Sequence, residues 1–165
     1  MFLTVFNDLP APQVLADLLN CCAAPRWARL VADGRPFGDL AALRARSDDT
    51  IAALDWEHLL PALDAHPRIG EQLASGGREA AWSRAEQAGA AGADARTAAA
   101  LAQANVDYER RFGHVFLICA TGLSAERMLT EARARLDNDP VTEQRCVRRE
   151  LAAITRLRLD RLVSP

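Results

Sequence analysis

Three groups of residues have the types and spacing to do chemistry. Near the C-terminus, Val147, Leu151, Ile154 and Leu162 follow the i, i+4, i+7 spacing of a core-facing helical stripe, and Arg158 falls where the next apolar residue should stand. A guanidinium buried there without an anion costs several kcal/mol or more, so it must be paired. An internal Asp or Glu could supply the anion, or the arginine stem could run past the core to water. The functional alternative is an arginine on a pocket floor, waiting for a carboxylate that a ligand brings. Arg145, Arg148, Arg149 and Arg156 lie off the stripe, on its solvated side.

The second group is His66-Pro67. Proline disfavours helical backbone in the residue before it, so a helix reaching Ala65 should stop there. His66 then sits at a helix C-terminus, beside partial negative charge, with the side chain best matched to proton transfer near neutral pH. A plain helix cap would look the same. His58 and His114 offer less: His58 reads as mid-helix on a solvated face, and His114 as packing beside Phe112 and Phe116.

The third is Ser83-Arg84-Ala85-Glu86-Gln87. On a continuous helix Ser83, Glu86 and Gln87 share one face, opposite Ala81 and Ala88. The competing reading is a capping box, with Ser83 starting a short helix, or an ordinary polar surface stripe. Imidazole, carboxylate, amide and guanidinium together make a set for acid–base work on a polar, anionic small molecule.

Composition narrows the field. Half of the 165 residues are hydrophobic and a quarter charged, as in an ordinary globular chain. The net charge of −2 supplies no field for nucleic acid or anionic membrane, and no run approaches the roughly 20 apolar residues of a membrane span. All twenty cations are arginine, which removes lysine Schiff-base chemistry and the P-loop lysine. Cys21, Cys22, Cys119 and Cys146 form no C-x-x-C pair and no metal-ligand spacing with histidine. With no basic leader, and an ending Val163-Ser164-Pro165 that is no peroxisomal signal, the expectation is a reduced, cytoplasmic protein.

The elements that must position these residues are helices. Alanine occurs 33 times, against 12 for valine and isoleucine together. Caps and periodicity predict helices over 12–22, 25–31, 39–46, 47–54 with Ser47 as its cap, 55–65, 78–88, 94–111, 124–136 and 140–163. Asp139-Pro140 has the chemistry of a helix start. Residues 88–93 (AGAAGA) read as a flexible loop, and 115–120 (VFLICA) as either an extended run or a buried helix start. The expectation is one all-α domain over 1–165, a bundle of eight or nine helices.

The string Ala65-His66-Pro67-Arg68-Ile69-Gly70, followed by Ser83-x-x-Glu86-Gln87, resembles the signature of the OHCU decarboxylases, where OHCU is 2-oxo-4-hydroxy-4-carboxy-5-ureidoimidazoline. Further similar strings follow in order over roughly 6 to 160. They are Phe6-Asn7-x-Leu9, Trp27, Arg35-Pro36-Phe37, Asn105-x-x-Tyr108, Phe112-Gly113, the run from Phe116 to Ala120, Arg135-Leu136-x-Asn138, Glu150, and Ile154-x-x-Leu157-Arg158-Leu159.

The resemblance implies an all-helical, cofactor-free and metal-free lyase of urate breakdown that forms (S)-allantoin and carbon dioxide. It assigns His66, Glu86 and Arg158 to catalysis, and Pro67, Ser83 and Gln87 to the substrate pocket. Phe116, Leu117, Ile118, Cys119 and Ala120 would bind the ring through backbone groups. Either His66 or Glu86 could deliver the stereospecific proton. Arg68 and Glu71 make the stretch after His66 more charged than in some members. Members often dimerise, although no exposed apolar stripe here demands a homodimer. Two alternatives remain: a non-catalytic helical module binding allantoin-like or urate-like anions, and a structural domain whose His66 and Arg158 are satisfied core residues.

Overall fold

Helix-forming side chains and short capped connections give the expected class. The computed structural model describes residues 1–71 and 78–164, and among these there are ten α-helices, one 3₁₀ turn and no strand. Contacts divide the chain into two compact units, the first Met1–Ala62 with Leu151–Pro165, the second Leu63–Glu150.

The first unit opens with α1 (Leu3–Asp8), α2 (Ala11–Cys21), α3 (Pro25–Ala32) and α4 (Leu40–Ala53). Helix α1 lies where no helix was expected, since six residues are too few to show a helical period. Phe6, Leu18, Trp27, Leu43, Ile51 and Leu59 are buried in its core. Two of the strings named above prove structural: Arg35 donates to the carbonyls of Phe6, Asn7 and Leu9, while Asn7 exchanges two 2.9 Å bonds with the Phe37 backbone.

Helix α4 is continuous, against the expectation of two helices split at Ser47. Leu43, Ser47, Thr50 and Ile51 are all buried and together form one unbroken stripe, so Ser47 is an interior residue. Asp39 alone caps, accepting from the Ala42 amide at 2.7 Å. The helix expected over 55–65 is broken instead. Pro61 has no N–H and cannot sit in a helix interior, so the chain makes a 3₁₀ turn at Trp56–His58 and restarts as α5 (Leu60–Asp64), with proline in the first turn. His58, read as mid-helix and solvated, is half-buried at the end of that turn.

The second unit holds α6 (Arg78–Glu86), α7 (Ala88–Ala91), α8 (Ala95–Phe112) and α9 (Ala125–Arg135). Its core gathers Ile69, Leu101, Tyr108, Phe116, Ile118 and Met128. Asp94 and Ser124 cap α8 and α9 as their spacing implied. Residues 88–93 correct the sequence reading, because most of that stretch is α7 and not a flexible loop. Ala90 is buried, and a Cβ on Gly89 would lie 1.9 Å from the Leu123 carbonyl oxygen. Glycine stands there so that two backbones can touch.

Helix α10 (Pro140–Leu162) begins in the second unit and ends in the first. Asp139 caps it, accepting from Val141 and Thr142 amides at 3.0 Å. Residues 115–120 are neither helix nor strand, and run without turn or bend.

Candidate active site

The Pro67 ring ends α5 as anticipated: the His66 amide closes the last turn on the Leu63 carbonyl at 3.0 Å. His66 is half-buried, with Nε2 fully enclosed. A turn follows from the Arg68 carbonyl to the Glu71 amide, and Gly70 within it has φ +84°, a conformation that a Cβ would strain. His66 lines a hollow of about 420 Å³ with Leu63, Arg68, Glu109 and His114. There the Arg68 guanidinium forks onto Glu109 at 2.6 and 2.9 Å. The pairing holds the Glu109 carboxyl below its ordinary range and raises Arg68 further, so both stay charged. His114 packs edge-on to Tyr108 and stacks near Phe112.

Helix α6 is built inside out. Ser83 and Glu86 are 3% and 5% exposed, whereas Ala81 and Ala85 face solvent, as does Ala88 at the start of α7. Neither a capping box nor a surface stripe does this: the helix has begun by Arg78, and its polar face points inward. Burying a carboxylate and a hydroxyl in place of alanine costs stability unless those groups are hydrogen-bonded or used. Gln87 ends the helix and accepts from the Gly70 amide at 3.1 Å, tying α6 to the turn behind His66-Pro67. Ser83 and Gln87 line a second hollow of about 520 Å³ with Gly70, Ala90 and Ala98, and Glu71 borders both hollows.

Residues 116–120 are enclosed, with Phe116, Leu117, Ile118 and Ala120 all buried and Cys119 partly so. Arg135 donates to the Leu117 carbonyl at 2.7 Å, and Glu150 accepts from the Cys119 amide at 3.0 Å. Arg135 in turn is held by Glu143 at 2.5 Å, and the Tyr108 hydroxyl donates to the same carboxylate. Burial and that bond push the Tyr108 phenol far above its ordinary range. Burial pulls Arg135 down, but its hydrogen bond to Glu143 and the charge interactions with Tyr108, Glu143 and Glu150 together outweigh this and raise it. The sequence reading passed over Glu143. Extending the α10 stripe back four residues from Val147 lands on it, which is the signal that could have found it.

Arg158 sits on the core stripe as its spacing indicated: Val147, Leu151, Ile154, Arg158 and Leu162 are all buried, and Arg158 is 1% exposed. Its Nη1 donates to the Cys21 carbonyl at 3.5 Å. It belongs to the first unit, while His66, Ser83, Glu86, Gln87 and 116–120 belong to the second. Among the described residues, no group of His, Cys, Asp and Glu could hold a metal ion, and no helix is long and apolar enough to cross a membrane.

These features define a class: an all-α protein with imidazole, carboxylate, hydroxyl and amide groups turned inward, suited to proton transfer on a polar small molecule. A family model described as OHCU decarboxylase matches residues 7–160. A 2-oxo-4-hydroxy-4-carboxy-5-ureidoimidazoline decarboxylase from Amia calva is 33% identical over 153 residues, covering 92% of this chain and 86% of that protein. The uric acid degradation bifunctional protein TTL of Arabidopsis thaliana is 30% identical over 151 residues, which are 87% of this chain and 45% of that protein, so this chain spans under half its length. A crystal structure of OHCU decarboxylase in the presence of (S)-allantoin superposes with TM-score 0.77 at 26% identity, covering 89% of this chain and 96% of that one. A crystal structure of (S)-allantoin synthase, with TM-score 0.72 at 15% identity over 96% and 53% of the two chains, shares the fold. The chain belongs to the OHCU decarboxylase family.

Proposed function

We propose that the chain decarboxylates 2-oxo-4-hydroxy-4-carboxy-5-ureidoimidazoline to (S)-allantoin and carbon dioxide in urate degradation, with 1–165 acting as one cofactor-free catalytic domain. The observation that carries this reading is the inward-facing polar side of α6, which buries Ser83 and Glu86, two of the residues that the sequence resemblance assigns to the site.

The chemistry needs no electron sink beyond the substrate. A ring carbon bears both carboxylate and hydroxyl, next to a carbon doubly bonded to nitrogen and carrying the ureido group. Breaking the bond to the carboxylate releases CO₂, and the electron pair flows into the neighbouring C=N. The ring nitrogen that receives the pair takes up a proton from solvent, the hydroxyl gives up its proton to become a carbonyl, and the ureido-bearing carbon takes one. Arg158 orients the carboxylate through a two-point pair, and orientation counts for more than grip, since tight ground-state binding would not accelerate the step. His66 accepts the hydroxyl proton, with Pro67 shaping the pocket wall beside it. Glu86, supported by Ser83 and Gln87, orients the ureido nitrogens, and backbone groups of Phe116, Leu117, Ile118, Cys119 and Ala120 hold the ring. Return of the proton to one face, by His66 or Glu86, sets the single enantiomer.

The test couples urate oxidase and hydroxyisourate hydrolase to the purified chain and follows optical rotation. Rapid dextrorotatory allantoin supports the proposal. Slow racemic product at the uncatalysed rate rejects it, and binding of (S)-allantoin without turnover marks a non-catalytic module. The same reading has the protein act in the cytoplasm on this small molecule and form a homodimer, which fractionation and sedimentation check.

A further inference from the structure

We infer that Glu150 is a positioning residue for the run 116–120, fixing its backbone alongside the hold of Arg135; this rests on the substrate-binding role proposed above for that run. The run lies in neither helix nor strand, so no ladder of backbone bonds sets its course. Ala120 closes a turn with the Leu123 amide at 3.0 Å, and upstream of it Arg135 and Glu150 address the backbone. Arg135 donates to the Leu117 carbonyl at 2.7 Å, and Glu150 accepts from the Cys119 amide at 3.0 Å. The two holds fall two residues apart, one on a carbonyl and one on an amide.

The two holds differ in kind. Arg135 is locked into the core: Glu143 binds it at 2.9 and 2.5 Å, and its guanidinium lies 4.8 Å over the Phe116 ring. Glu143 is fully buried and also accepts from Asn138 at 2.7 Å. Removing either partner strips a buried charge of its counterion, and such a variant reports on folding first. Glu150 instead keeps a fifth of its side chain in solvent, and its ion pair with Arg149 is a loose 3.7 Å. What it contributes is an acceptor for one amide of the run. Glu143 and Glu150 stand seven residues apart, two turns along one face of α10, so one helix carries both the core anchor and the adjustable hold.

Three substitutions separate acceptor from charge. Glu150→Gln keeps an oxygen at the same reach and loses the charge; Glu150→Asp keeps the charge and draws back by one methylene; Glu150→Ala loses both. Each is assayed for allantoin formation in the coupled system, for (S)-allantoin binding by calorimetry, and for Tm. The expected result is kcat/KM lower by about tenfold in the Ala and Asp variants, carried mostly by KM and matched by weaker (S)-allantoin binding. The Gln variant stays within about threefold of the parent, and the Tm of all folded variants stays within a few degrees. Full activity in Asp with loss in Gln overturns the inference, as do three variants equal to the parent. If Ala fails to fold, the Asp and Gln pair decides. A parent chain that forms no (S)-allantoin overturns the functional reading and this inference with it, whereas an active parent with indifferent variants overturns the inference alone.

Discussion

Proline directly after His66 puts the imidazole at the end of α5, where the chain turns through Gly70 and is caught by Gln87. His66→Gln keeps the size and a hydrogen-bonding tip but cannot exchange a proton near neutral pH. A loss of on the order of a hundredfold in kcat, with an unchanged circular dichroism spectrum, is expected, and near-normal turnover would remove the proton-transfer role. Arg158→Leu should leave a stable, well-packed protein, because leucine continues the apolar stripe on which Arg158 stands. Its turnover should fall by roughly a hundredfold or more, as expected of lost orientation. Collapse of its thermal transition instead would mark Arg158 as a structural partner. These residues were legible because each breaks a local pattern: arginine on a core stripe, histidine before proline, a polar face on an alanine helix. Glu143 was not, since a glutamate in the first turn of a helix is what the helix dipole favours and raises no conflict until its burial is known.

At the scale of elements, caps were the most readable feature. Asp39, Asp94, Ser124 and Asp139 each start a helix, because a short polar side chain binding free amides is a local event. The misreadings come from what local chemistry leaves out. Ser47 has the side chain of a cap but lies within a stripe, and AGAAGA has the composition of a loop but is pressed onto Leu123. The two glycines of that stretch should therefore respond oppositely to alanine. Gly89→Ala forces a Cβ to within 1.9 Å of a carbonyl oxygen, and should cost about 1–3 kcal/mol as backbone shifts to make room. Gly92 has φ −91° and nothing within 4 Å of an added Cβ, so Gly92→Ala should gain about 0.4–1 kcal/mol by restricting the unfolded chain. Differential scanning calorimetry of both variants checks the pair, and shifts of like sign would contradict the packing described for α7.

For the molecule as a whole, acid is the informative perturbant. Asp94 and Asp139 ionise below their ordinary range because they bind amides and hydroxyls at helix starts, and Glu109 because it faces Arg68. Each carboxyl has a folded pKa below its unfolded value, so its stabilisation is whole above about pH 4–5 and drains as pH falls through the lower folded value. Urea midpoints should thus hold from pH 7 to about 5 and drop toward pH 3, and Asp139→Asn, which keeps an acceptor, should flatten that limb. Ligand should act in the opposite sense, with (S)-allantoin raising Tm by an amount that grows with the logarithm of its concentration once that exceeds Kd. One earlier feature governs where that protection falls. Most helices adhere to a protein by their oily side, yet α6 offers its interior an acid and an alcohol and leaves alanine in water. A ligand taken up on that inward polar side adds to its hold, so amide deuteration of 81–87 should slow once ligand arrives, more than that of α8 or α9.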